Sequence, residues 1–245
     1  MSRRTSLPGV DELFGKGGRP GDRERSSAQD PAFTPADRTD HPTTEARAVV
    51  RQMTADEGAT IRGAREAAQD VEVPSPEVGA LLRWAATACE ARAVVEIGSA
   101  GGLSGLWLLQ GMTRGGVLTS LEPDPETYRL ATTAFKEVAA GSRVRSIHGD
   151  VSTLLERLAD ASYDLVLLQA DKGSYPQHLV SARTLLRPGG MLVARGILPT
   201  GEHRPALTRF LHDLVEDPAL SATVLPIDDG VAIANRLRSP APSEE

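Results

Sequence analysis

The sequence predicts an α/β fold: a mostly parallel seven-stranded sheet with an antiparallel edge hairpin and helices on both faces. Three observations predict it. From Ala93 onward, short apolar runs of strand type alternate with stretches of helical period. A glycine-rich turn follows the first of these runs, at Gly98-Ser99-Ala100-Gly101-Gly102. The last two runs are joined only by Ile227-Asp228-Asp229, which is enough for a hairpin and too short for a crossover.

Each element follows in order. Residues 54–69 have helical period, and Ser75 with Pro76 supplies an N-cap and first turn for a second helix over 75–91. Residues 93–97 read as strand one, with a helix from Leu103 to Gln110 after the glycine turn. Strands at 116–121, 143–148 and 163–168 are followed by helices at 124–139, 151–158 and 174–186. A fifth strand at 191–194 precedes a helix at 204–215, and strands at 222–226 and 230–235 close the chain. Strands separated by helices require crossovers and hence a parallel sheet covered on both faces.

Residues 1–45 are rich in Arg, Asp, Gly, Pro, Ser and Thr and hold few large apolar groups. Such a segment cannot bury enough surface to offset its ordering entropy, so it is expected to be a disordered tail. The folded domain spans 46–237, and 238–245 is a short flexible tail. A net charge of -6 points away from nucleic acid and anionic membranes. No apolar run is long enough to span a bilayer, and Arg3-Arg4 is not followed by the apolar core of a signal peptide. The lone Cys89 rules out an intrachain disulfide and reads as a small buried hydrophobe. These features together suggest a cytoplasmic protein.

The glycine turn is the first chemical signal. At the carboxyl edge of a parallel sheet, glycines let the backbone approach a nucleotide-like ligand. Gly98 and Gly102 are four apart, with Glu96 two residues before, which is not the G-x-G-x-x-G of dinucleotide binders. The spacing resembles the E/D-x-G-x-x-x-G motif of methyltransferases. Glu122, ending strand two, is placed to accept hydrogen bonds from ribose hydroxyls, and also to serve as an acid at the next helix N-terminus. Gly149-Asp150-Val151 after strand three is placed to wall an adenine.

Tyr163-Asp164-Leu165-Val166-Leu167-Leu168-Gln169-Ala170-Asp171-Lys172-Gly173-Ser174-Tyr175 resembles the F-I-D-A-D-K-x-x-Y segment of the catechol and caffeoyl-CoA O-methyltransferase group. Ser75 to Gly79, Leu186-Arg187-Pro188-Gly189-Gly190 and Asp229 to Ala234 resemble three further segments of that group, in the same order. The resemblance covers residues 55–237 and implies a Rossmann-like class I methyltransferase fold with S-adenosylmethionine (SAM) as cofactor. It implies that Glu96, Gly98 and Ser99 meet the methionine part and that Ser104 binds its carboxylate. Glu122 and Pro123 would hold the ribose, and Asp150 and Val151 the adenine. Pro74 and Asp171 would be further cofactor contacts, and Lys172 would lie near the acceptor hydroxyl. A homodimer is also implied.

One part of the pattern is rewritten. The group's three metal ligands are the first Asp of D-A-D-K and an Asp-Asn pair after strand five. This chain has Gln169, Arg195 and Gly196 there. A neutral amide beside a guanidinium is a poor site for Mg²⁺ or Ca²⁺, so no metal is expected. Arg195 either supplies the missing positive charge at a phenolate or carboxylate, or pairs with a carboxylate such as Asp171. Lys172 is either a general base or a solvated loop lysine. Gln169 is expected to touch the acceptor. Trp84 and Trp107 are expected in the core, His148 as a packed or capping residue, and His203 and His212 lack metal-like spacing.

The expected activity is SAM-dependent methyl transfer to a hydroxyl of a small molecule, without a divalent metal. The alternative is a SAM- or S-adenosylhomocysteine-binding protein of the same fold that lacks catalysis. A nicotinamide oxidoreductase is disfavoured by the missing dinucleotide motif.

Overall fold

The structure is a computed structural model that describes residues 48–49, 51–53, 55–138 and 140–238. The tail expected at 1–45 lies outside the described residues, as does that at 238–245 except for Arg238. Seven strands form one sheet: β1 (Ala93–Ile97), β2 (Val117–Glu122), β3 (Val144–His148), β4 (Tyr163–Leu168), β5 (Leu186–Arg195), β6 (Leu220–Leu225) and β7 (Val231–Arg236). Their order is β3-β2-β1-β4-β5-β7-β6. β1 to β5 pair in parallel, and β7 runs antiparallel to both β5 and β6, as the short 227–229 connection requires. The helices are α1 (Ala59–Ala67), α2 (Pro76–Ala88), α3 (Leu103–Gly111), α4 (Pro125–Glu137), α5 (Val151–Leu155), α6 (Tyr175–Leu185) and α7 (Arg204–Glu216). No helix among the described residues is long and apolar enough to cross a membrane.

Strand period two divides the core into two layers. Val94, Leu118, Leu165, Leu167 and Val193 pack with α1 to α4, including Ile61, Leu82, Trp107 and Phe135. Their alternates Val95, Ile97, Val166, Leu168 and Leu192 pack with α5 to α7, including Leu155, Tyr175, Leu179 and Phe210. Burial on both faces explains why these strands read as unbroken apolar runs.

Short polar contacts fix the strand and helix starts. Arg92 and Ala93 N–H donate to Asp164 Oδ2 at 2.7 and 2.8 Å, and Arg187 Nε donates to Oδ1 at 2.6 Å. Burial would raise the Asp164 pKa, but those donors hold it below the usual carboxylate range. Ser75 and Asp124 cap α2 and α4 through Val78 N–H and Thr127 N–H, and Pro76 and Pro125 occupy their first turns.

Two expectations are corrected. The fifth strand starts at Leu186, well before the expected 191, and carries Pro188-Gly189-Gly190 within it. Leu186 pairs with Tyr163, after which the register shifts, so the turn-like residues form an irregularity inside the strand. Trp107 is fully buried, but Trp84 is 57% exposed. Val78, Leu82, Ala85 and Ala86 take the inward stripe of α2 and leave Trp84 on the outer side.

Trp107 is seated where α2 has no side chain: a Cβ at Gly79 would stand 2.2 Å from Trp107 Nε1. Gly79→Ala is therefore expected to destabilise the fold by about 1–3 kcal/mol, read as a lower urea midpoint.

Candidate active site

The strand order reverses between β1 and β4, so the connections leaving their carboxyl ends part to opposite sides and open a crevice. Gly98 and Gln169 flank it. Gly98 N–H donates to Leu121 O at 2.8 Å and Gln169 N–H to Ile97 O at 3.0 Å, so the turns continue the strand register. Gly98 has φ +86°, and a Cβ there would stand 2.8 Å from Gln169 O. Only glycine allows both the left-handed backbone and this approach.

Two buried carboxylates organise the turn. Glu122 is 5% exposed, and its Oε2 accepts from Ser99 N–H at 2.8 Å and Ser99 Oγ at 2.6 Å. Its Oε1 accepts from Asp124 N–H at 3.0 Å, which ties β2 to the start of α4. Glu96 is fully buried; its Oε2 accepts from Ser104 Oγ at 2.8 Å, while its Oε1 has no hydrogen-bond partner. Burial pushes the Glu96 carboxyl up to about 8, against the pull of the Ser120 and Ser104 hydroxyls.

Gln169 joins this turn to Arg195. Its Nε2 donates to Gly98 O at 2.8 Å and also to Ser104 Oγ, and its Oε1 accepts from Arg195 Nη1 at 2.9 Å. Arg195 ends β5 and is 7% exposed. Tyr175 Oη donates to its carbonyl at 2.6 Å, which fixes the backbone. The guanidinium thus bonds Gln169 and not Asp171, whose Oδ2 accepts from Ser174 Oγ at 2.8 Å. Lys172 Nζ pairs with Glu72 at 3.4 Å and lies against Gly196, where a Cβ would stand 2.8 Å from Lys172 Cε. Gly196 has φ +65°, so the residue after Arg195 is held to glycine twice over.

Other expected residues lie along the same edge. Asp150 caps α5, accepting from Thr153 N–H at 2.9 Å and Thr153 Oγ1 at 2.7 Å; those bonds hold its pKa low. Val151 and Pro74 are buried, and Pro123 is exposed with its carbonyl 3.1 Å from His148 Nε2. Sequence reasoning missed Glu72 and gave Tyr175 no role. Tyr175 was visible as the closing Tyr of the D-A-D-K-x-x-Y segment. Glu72 had no signal, because its partner is 100 residues away.

A sequence model of the O-methyltransferase family matches residues 51–237. An inferred O-methyltransferase from Mycobacterium sp. strain JLS is 41% identical over 192 residues, covering 74% of this chain and 87% of that protein. The chain belongs to the O-methyltransferase family. Among solved structures, cofactor-bound Rv0187 from MTB is 28% identical with a TM-score of 0.70, covering 78% of this chain and 96% of that one. The O-methyltransferase from Bacillus cereus in complex with SAH is 24% identical with a TM-score of 0.71, covering 79% and 97%. The sheet order and antiparallel edge of this O-methyltransferase are those of the Rossmann-like class I methyltransferase fold expected from its sequence.

The Glu96 carboxyl has a stability consequence. Its folded pKa of about 8 lies above the ordinary 4.5, so the folded state keeps a proton that the unfolded chain has lost. Stability therefore falls as pH rises through that window. Glu96→Gln removes the penalty, and its melting temperature is expected to exceed the wild type's by a margin that widens from pH 5 to pH 8. Parallel melting curves would contradict the assignment.

Proposed function

We propose that this O-methyltransferase moves a methyl group from SAM to a hydroxyl of a small molecule, and that it does so without a divalent metal. The observation that carries the reading is the hydrogen-bonded line from the glycine turn through Gln169 to Arg195, which sets a fixed cation beside the cofactor crevice.

The residues of the crevice fit SAM. The Glu96 carboxyl, whose Oε1 is orphaned, would give up its proton and take the ammonium of a methionine moiety, and the Glu122 carboxylate at the end of β2 can take ribose hydroxyls. Gly98 and Ser99 would leave backbone room for the methionine part, Ser104 would turn its hydroxyl from Glu96 to the cofactor's carboxylate, and Pro74, Pro123, Asp150, Val151 and Asp171 would complete the contacts. When bound, the cofactor supplies a methyl group on a positively charged sulfur. The relatives solved with SAH or a cofactor support this choice.

The residues do not fit a divalent cation. At the three positions where a metal would be held stand a neutral amide, a guanidinium and a glycine, and Gln169 Oε1 is engaged by Arg195. Among the described residues no three His, Cys, Asp or Glu side chains form a metal-binding group.

The protein's own work is then alignment, charge and proton removal. Arg195 supplies a fixed positive charge beside the acceptor. Lys172, once it has given up to solvent the proton it holds in its pair with Glu72, takes the hydroxyl proton, and Glu72 at 3.4 Å again holds the resulting ammonium. Gln169 keeps Arg195 in register with the cofactor turn. The family resemblance also supports a homodimer, and the single cysteine fits a cytoplasmic setting.

Labelled SAM with a panel of phenols is expected to give methyl ethers at the same rate with and without EDTA. Loss of activity in EDTA that returns with Mg²⁺ would overturn the metal-free mechanism. Lys172→Met is expected to lower kcat about 100-fold with little change in the KM for SAM. An unchanged kcat would remove Lys172 from the chemistry.

A further inference from the structure

We infer that the acceptor is a hydroxy acid: it presents a hydroxyl to Lys172 and a carboxylate to Arg195. This rests on the O-methyltransferase reading above and names the substrate class of that site.

The Arg195 fork is mostly unfilled. A guanidinium has five N–H donors in one plane, shaped for two parallel bonds to a carboxylate. Gln169 takes one donor, from Nη1, and among the described residues no other side chain hydrogen-bonds the group. No carboxylate among them lies within ion-pair distance of it, although the side chain is 7% exposed. Its remaining nitrogens carry no hydrogen bond to the described residues and are not wholly sealed from solvent. A cation this buried is costly until an anion joins it.

The acidic neighbours do not fill the fork. Burial sets the Arg195 guanidinium pKa below its ordinary value, and the nearby Glu72, Asp228 and Asp229 offset only part of that. Glu72 is committed to Lys172, and Asp228 Oδ2 accepts from Ser75 N–H at 3.0 Å. Asp229 is exposed and lines a cavity of about 490 Å³ that opens from Lys172 and Gly196 toward Thr200 and His203. This cavity is large enough for a ring-sized molecule. Gly196, the residue after Arg195, lines this cavity together with Lys172, so the carboxylate of an acceptor seated there is drawn toward the neighbouring guanidinium.

The geometry also separates acceptor classes. A divalent ion can chelate two vicinal hydroxyls and pull a proton from either. A guanidinium with one donor already taken gains most from an oxygen pair that is anionic at neutral pH. A catechol or a plain phenol offers none.

The test is calorimetric titration of the SAH-saturated protein with 2-, 3- and 4-hydroxybenzoate, phenol and catechol. The best hydroxybenzoate is expected to bind about tenfold or more tighter than phenol and catechol, the scale of one added charge-assisted contact. Arg195→Gln should erase that preference and Arg195→Lys should keep part of it, with SAH affinity reporting that each variant is folded. Phenol or catechol binding as tightly as every hydroxybenzoate overturns the inference. So does a preference that survives Arg195→Gln, or no binding by any probe. If a variant fails to bind SAH, the wild-type ranking alone decides. Turnover separates the two readings: a hydroxybenzoate preference without methylation sinks the reaction and spares the class. Methylation of phenols without the preference does the reverse.

Discussion

The primary amide of Gln169 faces two ways. Its nitrogen donates to the Gly98 carbonyl and the Ser104 hydroxyl, and its oxygen receives Arg195. A carboxylate at this position could accept from Arg195 but could not donate to Gly98 O. An apolar side chain would leave the carbonyl and the guanidinium unpaired at once, while Ser104 kept its bond to Glu96. One neutral group with both a donor and an acceptor end therefore sets where the cation of β5 sits relative to the turn after β1. The rest of the site depends on that coupling. Tyr175 fixes the backbone of Arg195, Gly196 makes room for Lys172, and Lys172 brings Glu72 onto the same edge.

The turn itself is held at a cost. Two carboxylates are buried within one layer of the sheet edge, and the charge of Glu122 adds to the burial that keeps Glu96 protonated. Glu122 is satisfied by Ser99 and Asp124, whereas Glu96 keeps one oxygen without a partner. A fold selected for stability alone would place an apolar residue at Glu96, as at Val94, Val95 and Ile97 around it. An unpaired polar atom in an apolar strand marks a place where stability is given up for binding.

The parts legible in the sequence were those set by local pattern. β1 and β4 were read at their observed limits because apolar runs buried on both faces end sharply in polar turns. The residues of the glycine turn were legible because positive φ and close approach leave few alternatives to glycine. The early start of β5 was not, because Pro188-Gly189-Gly190 has turn chemistry and only pairing with Tyr163 draws it into the sheet. Helix ends were overextended at 54–69 and 151–158 because periodicity does not show where a cap or a change of direction stops the chain. Within the site, the sequence left Arg195 between two roles. Choosing its partner needs the distance from β5 to β4, and no local pattern encodes that. Glu72 is the extreme case, since its contact with Lys172 exists only once α1, α2 and β4 share one edge.

In the proposed metal-free mechanism a guanidinium stands where a metal would be, which changes what the site must do for itself. A bound divalent ion lowers the pKa of a coordinated hydroxyl and so supplies charge and proton removal together. A guanidinium supplies charge but does not coordinate the hydroxyl oxygen, and its own proton is held too tightly to be exchanged at neutral pH. Proton removal then needs a separate group, and Lys172 with Glu72 is the pair the fold brings alongside. The two substitutions at β5 are linked by the same logic. Arg195 brings the cation, and Gly196 clears the space through which Lys172 reaches the same edge. A side chain at Gly196 would strain a left-handed backbone and displace Lys172. In the proposed mechanism the rewritten positions act as one unit: the amide orients, the guanidinium supplies charge, and the glycine makes room for Lys172.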